Sequence, residues 1–299
     1  MTPTTSPGAN ARLLPTLRSA LGRALQWRLW LLFVAASLLC ALIAGLPVFN
    51  WLAGVLDHSV HAGAIAAGEA PALLADALMA RNAPLPLLGE SNAIASVLML
   101  LLSPLLSGAT VAAARSRAPL GFGDLLRGAI SEYGPMLRML AWSVIPLGFA
   151  LLLTSVIVGA NEKAHEDAIL ASELATGRTI GLWIGGLLFV LAHASLEAGR
   201  GWLAADGRLR SALKAWWRGL KLLGKRPFAV LGVYLATTLT GLLLVALLLL
   251  LRPYLGHGGI PALVLGLLLS SAVAAALAWS RIARLFGMQA LAEDMHARR

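Results

Sequence analysis

The residues of this sequence that could do chemistry are ionisable side chains close to apolar runs, and the clearest set is His193, Glu197 and Arg200. His193 and Glu197 stand four residues apart and share one face of a helix, with Arg200 three residues further on. Because an ionisable group inside a membrane span must be paired or hydrated, this set is a candidate polar site for a substrate or a proton. The simpler interpretation is an ion pair of Glu197 with Arg200 near the end of the span. A metal site would need a third ligand, so we expect none here.

A second set lies in the segment 208–226, where apolar and basic residues recur at helical spacing. We predict an amphipathic helix in the membrane interface, with an apolar side made of Leu209, Ala212, Leu213, Trp216, Leu220 and Leu223. Tryptophan suits the headgroup region, and bases suit anionic lipid. The residues that would bind anionic lipid or a protein partner are Arg210, Lys214, Trp216, Trp217, Arg218, Lys221 and Lys225. The alternative is that the helix only orients the span that begins after Pro227.

A third set comprises Asp57, His58 and His61, because two histidines three residues apart beside a carboxylate could bind zinc. The favoured interpretation is that these are solvated surface residues. The sequence therefore predicts no metal and no other cofactor.

Catalytic signatures are missing from the sequence. It has no glycine-rich phosphate loop with a lysine, no Gly-x-Ser-x-Gly motif and no paired aspartates within an apolar run. His193 and Ser195 point about 200° apart on a helix, so they cannot act as base and nucleophile. We therefore expect a protein that is not an enzyme.

The elements that must position these residues are membrane spans. The chain has 299 residues, of which 59% are hydrophobic and 13% charged, with a mean hydropathy of +0.79. Soluble domains contain about 25% charged residues, and a span needs roughly 20 apolar ones. Because none of the apolar runs alternates like a barrel strand, we predict an all-α polytopic bundle, with the first run retained rather than cleaved. The six predicted spans are 29–51, 93–114, 139–160, 179–196, 228–251 and 260–280.

Charge predicts the orientation. If both termini are cytoplasmic, twenty of the 24 lysines and arginines fall on the cytoplasmic side, as the positive-inside rule requires. We expect a bacterial inner-membrane protein with a cytoplasmic amphipathic segment at 1–28, a membrane domain at 29–280 and a cytoplasmic basic tail at 281–299. The net charge of +10 is then explained by topology and anionic lipid, and we expect no nucleic-acid partner. A protein partner is not identified, and a homo-oligomer is compatible with the sequence.

A weak internal repeat is also visible. Short amphipathic segments at 12–27, 122–137 and 208–226 each precede an odd-numbered span, followed by an outer loop and a returning span. This pattern favours three copies of an amphipathic helix plus a helical hairpin, although chance similarity in a chain rich in alanine, leucine and arginine is the alternative.

The stretch from Ser107 to Gly128 joins a small-residue helix end and Arg115 to the segment Phe122-Gly123-Asp124-Leu125. In this it resembles a recurring element of bacterial multi-pass proteins, similar to the membrane domain attached to some glycerophosphodiester phosphodiesterases. The resemblance covers 95–160, with a fainter echo at 190–250, and it implies architecture only. The phosphodiesterase domain of those enzymes has no counterpart here, so no catalytic residue is carried over.

Two functions follow as hypotheses. The first is a non-enzymatic inner-membrane protein whose basic interfacial helices bind anionic lipid or a membrane partner. The alternative is a small-molecule or lipid transporter with a site near span four, which would require a polar cavity within the membrane.

Overall fold

The computed structural model describes residues 13–56, 59–66, 68–80, 83–116, 118–164, 171–255 and 259–297. These residues form helices, with a short 3₁₀ turn at Arg252–Leu255 and no strand among them. The helices are α1 (Leu13–Arg23), α2 (Trp27–Leu56), α3 (Ala62–Ala66), α4 (Pro71–Met79), α5 (Leu85–Arg115), α6 (Phe122–Ala164), α7 (Ala171–Ala205), α8 (Ala212–Lys225), α9 (Pro227–Leu249) and α10 (Gly259–Ala297).

Six of these helices are long and apolar enough to cross a membrane: α2, α5, α6, α7, α9 and α10. They coincide with the six predicted spans, and they confirm the prediction of an all-α polytopic membrane protein. The two longest, α6 and α10, contain 43 and 39 residues. At 1.5 Å per residue they are about 60 Å long, roughly twice the thickness of the hydrocarbon core, so a large part of each lies outside it.

The long helices change the interpretation of two predicted segments. The second amphipathic segment, 122–137, is continuous with the third span in α6, whereas α1 and α8 are separate helices. The helix continues without a break from the amphipathic segment through Leu137 into the span that begins at Met139. By contrast, α8 ends before Pro227, which begins a new helix. The three predicted units therefore differ in structure. The segment predicted as a basic tail continues α10 as far as Ala297.

The described chain divides into two compact units, and the first contains most of the buried side chains. This unit comprises 1–24, 107–237 and 282–299, and its described part holds α1, the end of α5, α6, α7, α8, the start of α9 and the end of α10. Apart from Leu29, all of the largest fully buried side chains belong to it: Trp202, Phe286, Leu125, Met139, Leu196, Leu203, Leu222, Ile282, Met288, Val111 and Val230.

The second unit comprises 25–106 and 238–281 and consists mainly of apolar helix. Its exposed residues include Leu242, Leu243, Leu263, Leu267 and Leu268, each more than half exposed. Side chains of this kind are stable on a surface only where hydrocarbon covers them.

Glycines allow the helices of the first unit to approach closely. A Cβ added to Gly201 of α7 would lie 2.7 Å from the backbone carbon of Met288 in α10, and one added to Gly185 would overlap the Thr154 side chain of α6. Gly181 of α7 also lies close to α6, since its added Cβ would be 3.2 Å from the Ile157 side chain. Gly186 has open space around it.

We expect Gly201→Ala to destabilise the protein by about 2 kcal/mol, because its methyl group would meet the backbone of α10, which cannot move aside. Thermal unfolding of the detergent-solubilised protein, followed by size-exclusion chromatography after heating, measures this. Gly186→Ala, in the same helix with nothing within 4 Å of the added methyl group, is the matched control and should change stability by less than about 1 kcal/mol. Equal effects of the two substitutions would contradict the inferred contact.

Candidate functional site

Arginine side chains join the helix ends of the first unit. Arg115, the last residue of α5, donates from Nη1 to Glu132 Oε1 of α6 at 2.7 Å. Its Nε donates to the carbonyl oxygen of Ala204 at 3.1 Å and its Nη2 to that of Leu203 at 2.6 Å, both in the last turn of α7. Carbonyls in the last turn of a helix have no intrahelical donor, and a positive charge there is favourable. One guanidinium therefore supplies donors to two terminal carbonyls of α7 and forms an ion pair with the buried Glu132.

A backbone carbonyl at the end of α5 also receives hydrogen bonds from side chains. The carbonyl oxygen of Ala114 accepts from Arg23 Nη2 at 2.9 Å and from Gln289 Nε2 at 3.2 Å. Gln289 also donates to Glu293 Oε1 at 2.8 Å, and the Arg23 guanidinium lies 5.0 Å from the centre of the Phe286 ring. These contacts attach α1 and α10 to the end of α5.

The predicted set in α7 forms a charged cluster. Glu197 Oε1 accepts from Arg200 Nη1 at 2.7 Å, the ion pair that the spacing indicates, and lies 3.8 Å from His193 Nε2. The structure adds Arg284 of α10, whose Nε lies 3.7 Å from Glu197 Oε2 and whose guanidinium lies 5.3 Å from the Tyr234 ring of α9. The three helices α7, α9 and α10 thus meet at one buried carboxylate. Glu197 is therefore paired with charged groups of two helices.

Arg284 and Arg115 were not predicted as site residues. The available signal was their position in the sequence, because each is an arginine at the end of a returning span. In the structure each lies close to an acidic residue of another helix.

The helix predicted for 208–226 is present as the shorter α8 (Ala212–Lys225). Ser211 caps its start, because the Ser211 side chain accepts a hydrogen bond from the backbone N–H of Lys214. The predicted apolar side is partly wrong. The buried face consists of Ala212, Ala215, Gly219, Leu222 and Leu223, whereas Leu213 is 51% exposed.

The reason for this difference is close contact between α8 and α7. A Cβ on Gly219 would lie 2.6 Å from the carbonyl oxygen of Ser195 and would overlap the backbone of Gly199. Only the smallest residue fits there, so glycine forms the closest contact, with Leu222 and Leu223 buried on the same face and Leu213 left exposed.

Two of the predicted binding residues are turned into the protein. The Trp216 indole Nε1 donates to Ser195 Oγ at 2.9 Å, and Arg218 Nη1 donates to Asp206 Oδ2 at 2.9 Å with its guanidinium 5.4 Å from the Trp202 ring. The hydrogen bond from Arg218 lowers the pKa of Asp206 below its usual value, so this carboxylate stays ionised. Trp216 and Arg218 therefore fix α8 in place.

The other predicted residues are exposed. Lys214, Trp217, Lys221 and Lys225 lie on the side of α8 away from α7, together with Leu213. The Lys221 Nζ lies 5.6 Å from the centre of the Trp217 ring. We call Leu213, Lys214, Trp217, Lys221 and Lys225 the outer face of α8. Arg210, just before the helix, is also exposed, and its Nη1 donates to the carbonyl oxygen of Ser131 at 3.2 Å.

Of the set considered for zinc, Asp57 and His58 lie outside the described residues, and His61 is exposed. In the described part of the chain, no group of three histidine, cysteine, aspartate or glutamate residues could hold a metal ion.

We expect Glu132→Gln to destabilise the protein by about 2 kcal/mol or more, because the Arg115 guanidinium would lose its buried carboxylate. The midpoint of thermal unfolding in detergent measures this. Asp124→Asn is the control, since the Asp124–Arg127 pair in the same helix is exposed and should contribute less than about 1 kcal/mol. A Glu132→Gln protein as stable as the Asp124→Asn protein would show that the Arg115 interaction does not hold the three helices together.

Comparison with protein-family models, with curated proteins and with solved structures gives no match to this chain.

Proposed function

We propose that this chain is a non-enzymatic integral protein of the bacterial inner membrane that binds anionic lipid through the outer face of α8. The observation that carries the proposal is the fixed orientation of α8. Its small-residue face packs on the backbone of α7, and Trp216 and Arg218 bond to the protein, so the outer face is held outward.

The chemistry of the outer face suits a lipid surface. Trp217 and Leu213 are each 51% exposed and supply apolar area, while three lysines supply positive charge. No carboxylate of the described residues forms an ion pair with Lys214, Lys221 or Lys225. Lysines beside a half-exposed tryptophan match the boundary between headgroups and hydrocarbon, where each base near an anionic surface contributes about 1 kcal/mol.

The proposed orientation places α8 and both termini in the cytoplasm. It rests on the distribution of lysine and arginine in the sequence, twenty of which fall on that side. The cytoplasmic leaflet carries the negative surface potential that attracts such residues.

The orientation can be tested with single cysteines in a Cys40→Ala background. A membrane-impermeant thiol reagent should label Glu162→Cys, at the far end of α6, in intact spheroplasts, and should label Gly224→Cys only after the membrane is opened. Both positions are exposed. The reverse labelling pattern would contradict the proposed orientation.

Lipid preference can be measured by native mass spectrometry of protein exchanged into equimolar phosphatidylglycerol and phosphatidylcholine. We expect wild-type protein to retain the anionic lipid preferentially. Neutralising Lys214, Lys221 and Lys225 to glutamine should reduce this preference by about tenfold or more, given about 1 kcal/mol for each base.

The matched control neutralises Arg127, Lys163 and Arg208, three exposed bases away from the outer face, and should keep most of the preference. Equal retention of the two lipids by wild-type protein would overturn the proposal, as would an equal loss in the control.

A further inference from the structure

A cleft of about 590 Å³ opens between α6 and the start of α8 and shares Leu213 alone with the outer face of α8. Its lining includes Arg138, Trp142 and Ile145 of α6 together with Arg210, Ser211 and Leu213. Of these residues, the sequence pattern singled out only Arg210 and Leu213.

The charged and polar side chains of this cleft are bases and hydrogen-bond donors. Arg138 and Arg210 are both exposed, and the lining contains no carboxylate. The closest carboxylate to Arg210 is that of Glu132, 3.9 Å from its Nη1, but Glu132 is paired with Arg115 at 2.7 Å. The positive charges of Arg138 and Arg210 are therefore not neutralised within the cleft.

The Trp142 side chain forms part of the wall of this cleft. Its indole Nε1 is buried and is therefore not exposed to the cleft. The indole contributes ring surface, and its centre lies 5.6 Å from that of the Trp216 ring of α8.

The start of α8 adds further donors at the same place. Ser211 caps the helix, and the backbone N–H groups of Ala212 and Leu213 are at its first two positions, where a helix offers no acceptor. The positive end of the α8 dipole therefore lies at the same cleft as the two arginines.

The remaining lining of the cleft is apolar, and an exposed apolar surface continues from it along α6 into the predicted span. Arg138, Trp142, Ile145, Phe149 and Leu152 follow one another at intervals of four and three residues, so they share one face of the helix. Ile145, Phe149 and Leu152 are each close to 60% exposed. From Arg138 to Ile145 the helix rises about 10 Å, the step from a headgroup to the upper part of an acyl chain.

We propose that this cleft holds one anionic phospholipid, with its phosphate between Arg138 and Arg210 and an acyl chain along Ile145 and Phe149. The proposal rests on the preference for anionic lipid proposed above and assigns one specific site to it. A lipid fits better than a free anion because inorganic phosphate would leave the apolar part of the cleft unfilled.

The test is the number of phosphatidylglycerol molecules that remain on the purified protein through delipidation, counted by native mass spectrometry. Wild-type protein should keep one. We expect the double substitution Arg138→Gln with Arg210→Gln to weaken the apparent Kd for that molecule by about tenfold or more, because two charge-assisted contacts are lost. Ile145→Gln, which places an amide where the acyl chain would lie, should weaken it by about two- to tenfold.

Arg127→Gln with Arg208→Gln removes the same charge from exposed positions outside the cleft and should leave the retained lipid in place. Thermal unfolding of each variant establishes that it is folded before its lipid is counted. Retention of the lipid by both cleft variants, or its equal loss from the control, would overturn the proposal. Thermal stabilisation of wild-type protein by glycerol phosphate as strong as that by phosphatidylglycerol would also overturn it, since the acyl chain would then contribute nothing.

The two lipid proposals can be refuted independently of each other. If neutralising the outer face abolishes the preference for anionic lipid while the cleft variants keep their retained molecule, the cleft assignment is wrong and the proposed function stands. If the wild-type protein retains one phosphatidylglycerol molecule yet shows no wider preference, the outer face is not a lipid-binding surface.

Discussion

The first unit depends on a single guanidinium. Arg115 ends α5, pairs with Glu132 of α6 and donates to the last two carbonyls of α7 before Ala205. Lysine has one compact ammonium and cannot reach three acceptors on two helices in this fixed geometry, whereas the planar guanidinium can. The contact supplies donors to carbonyls that would otherwise be unsatisfied at the end of a long helix. It also offsets the free-energy cost of burying the Glu132 carboxylate.

The same principle recurs across the unit. Arg200 pairs with Glu197, Arg218 with Asp206, and Arg226 with Asp294 at 2.5 Å. The Arg218 and Arg226 pairs involve residues just after the ends of α7 and α8, whereas the Arg200 pair lies within α7. The arginine-rich segments that the positive-inside rule explains as topology signals therefore also supply side chains that hold the helix ends together.

Helix packing and surface chemistry are connected through α8. Because Gly219 allows the helix to touch the backbone of α7, its small residues are used for packing, and Leu213 and Trp217 are left on the surface. The start of α8 comes to lie beside Arg138 and Trp142, and this makes a donor-lined cleft from two segments far apart in sequence. The outer face and the cleft are thus two consequences of one close helix contact.

The sequence by itself determined the six spans, because a run of about twenty mostly apolar residues without Asp, Glu, Lys or Arg is long enough to cross the hydrocarbon core and must form a helix there. It also determined that residues 212–225 are helical and that Glu197 can pair with Arg200, since both depend on local spacing. Only the tertiary structure decided which side of α8 is buried, because the close approach to the α7 backbone requires glycine at position 219, a constraint that helical periodicity does not show. It alone brought Arg115 to α7 and Arg138 to Arg210, since contacts between distant segments depend on how helices pack and leave no periodic signal in the chain.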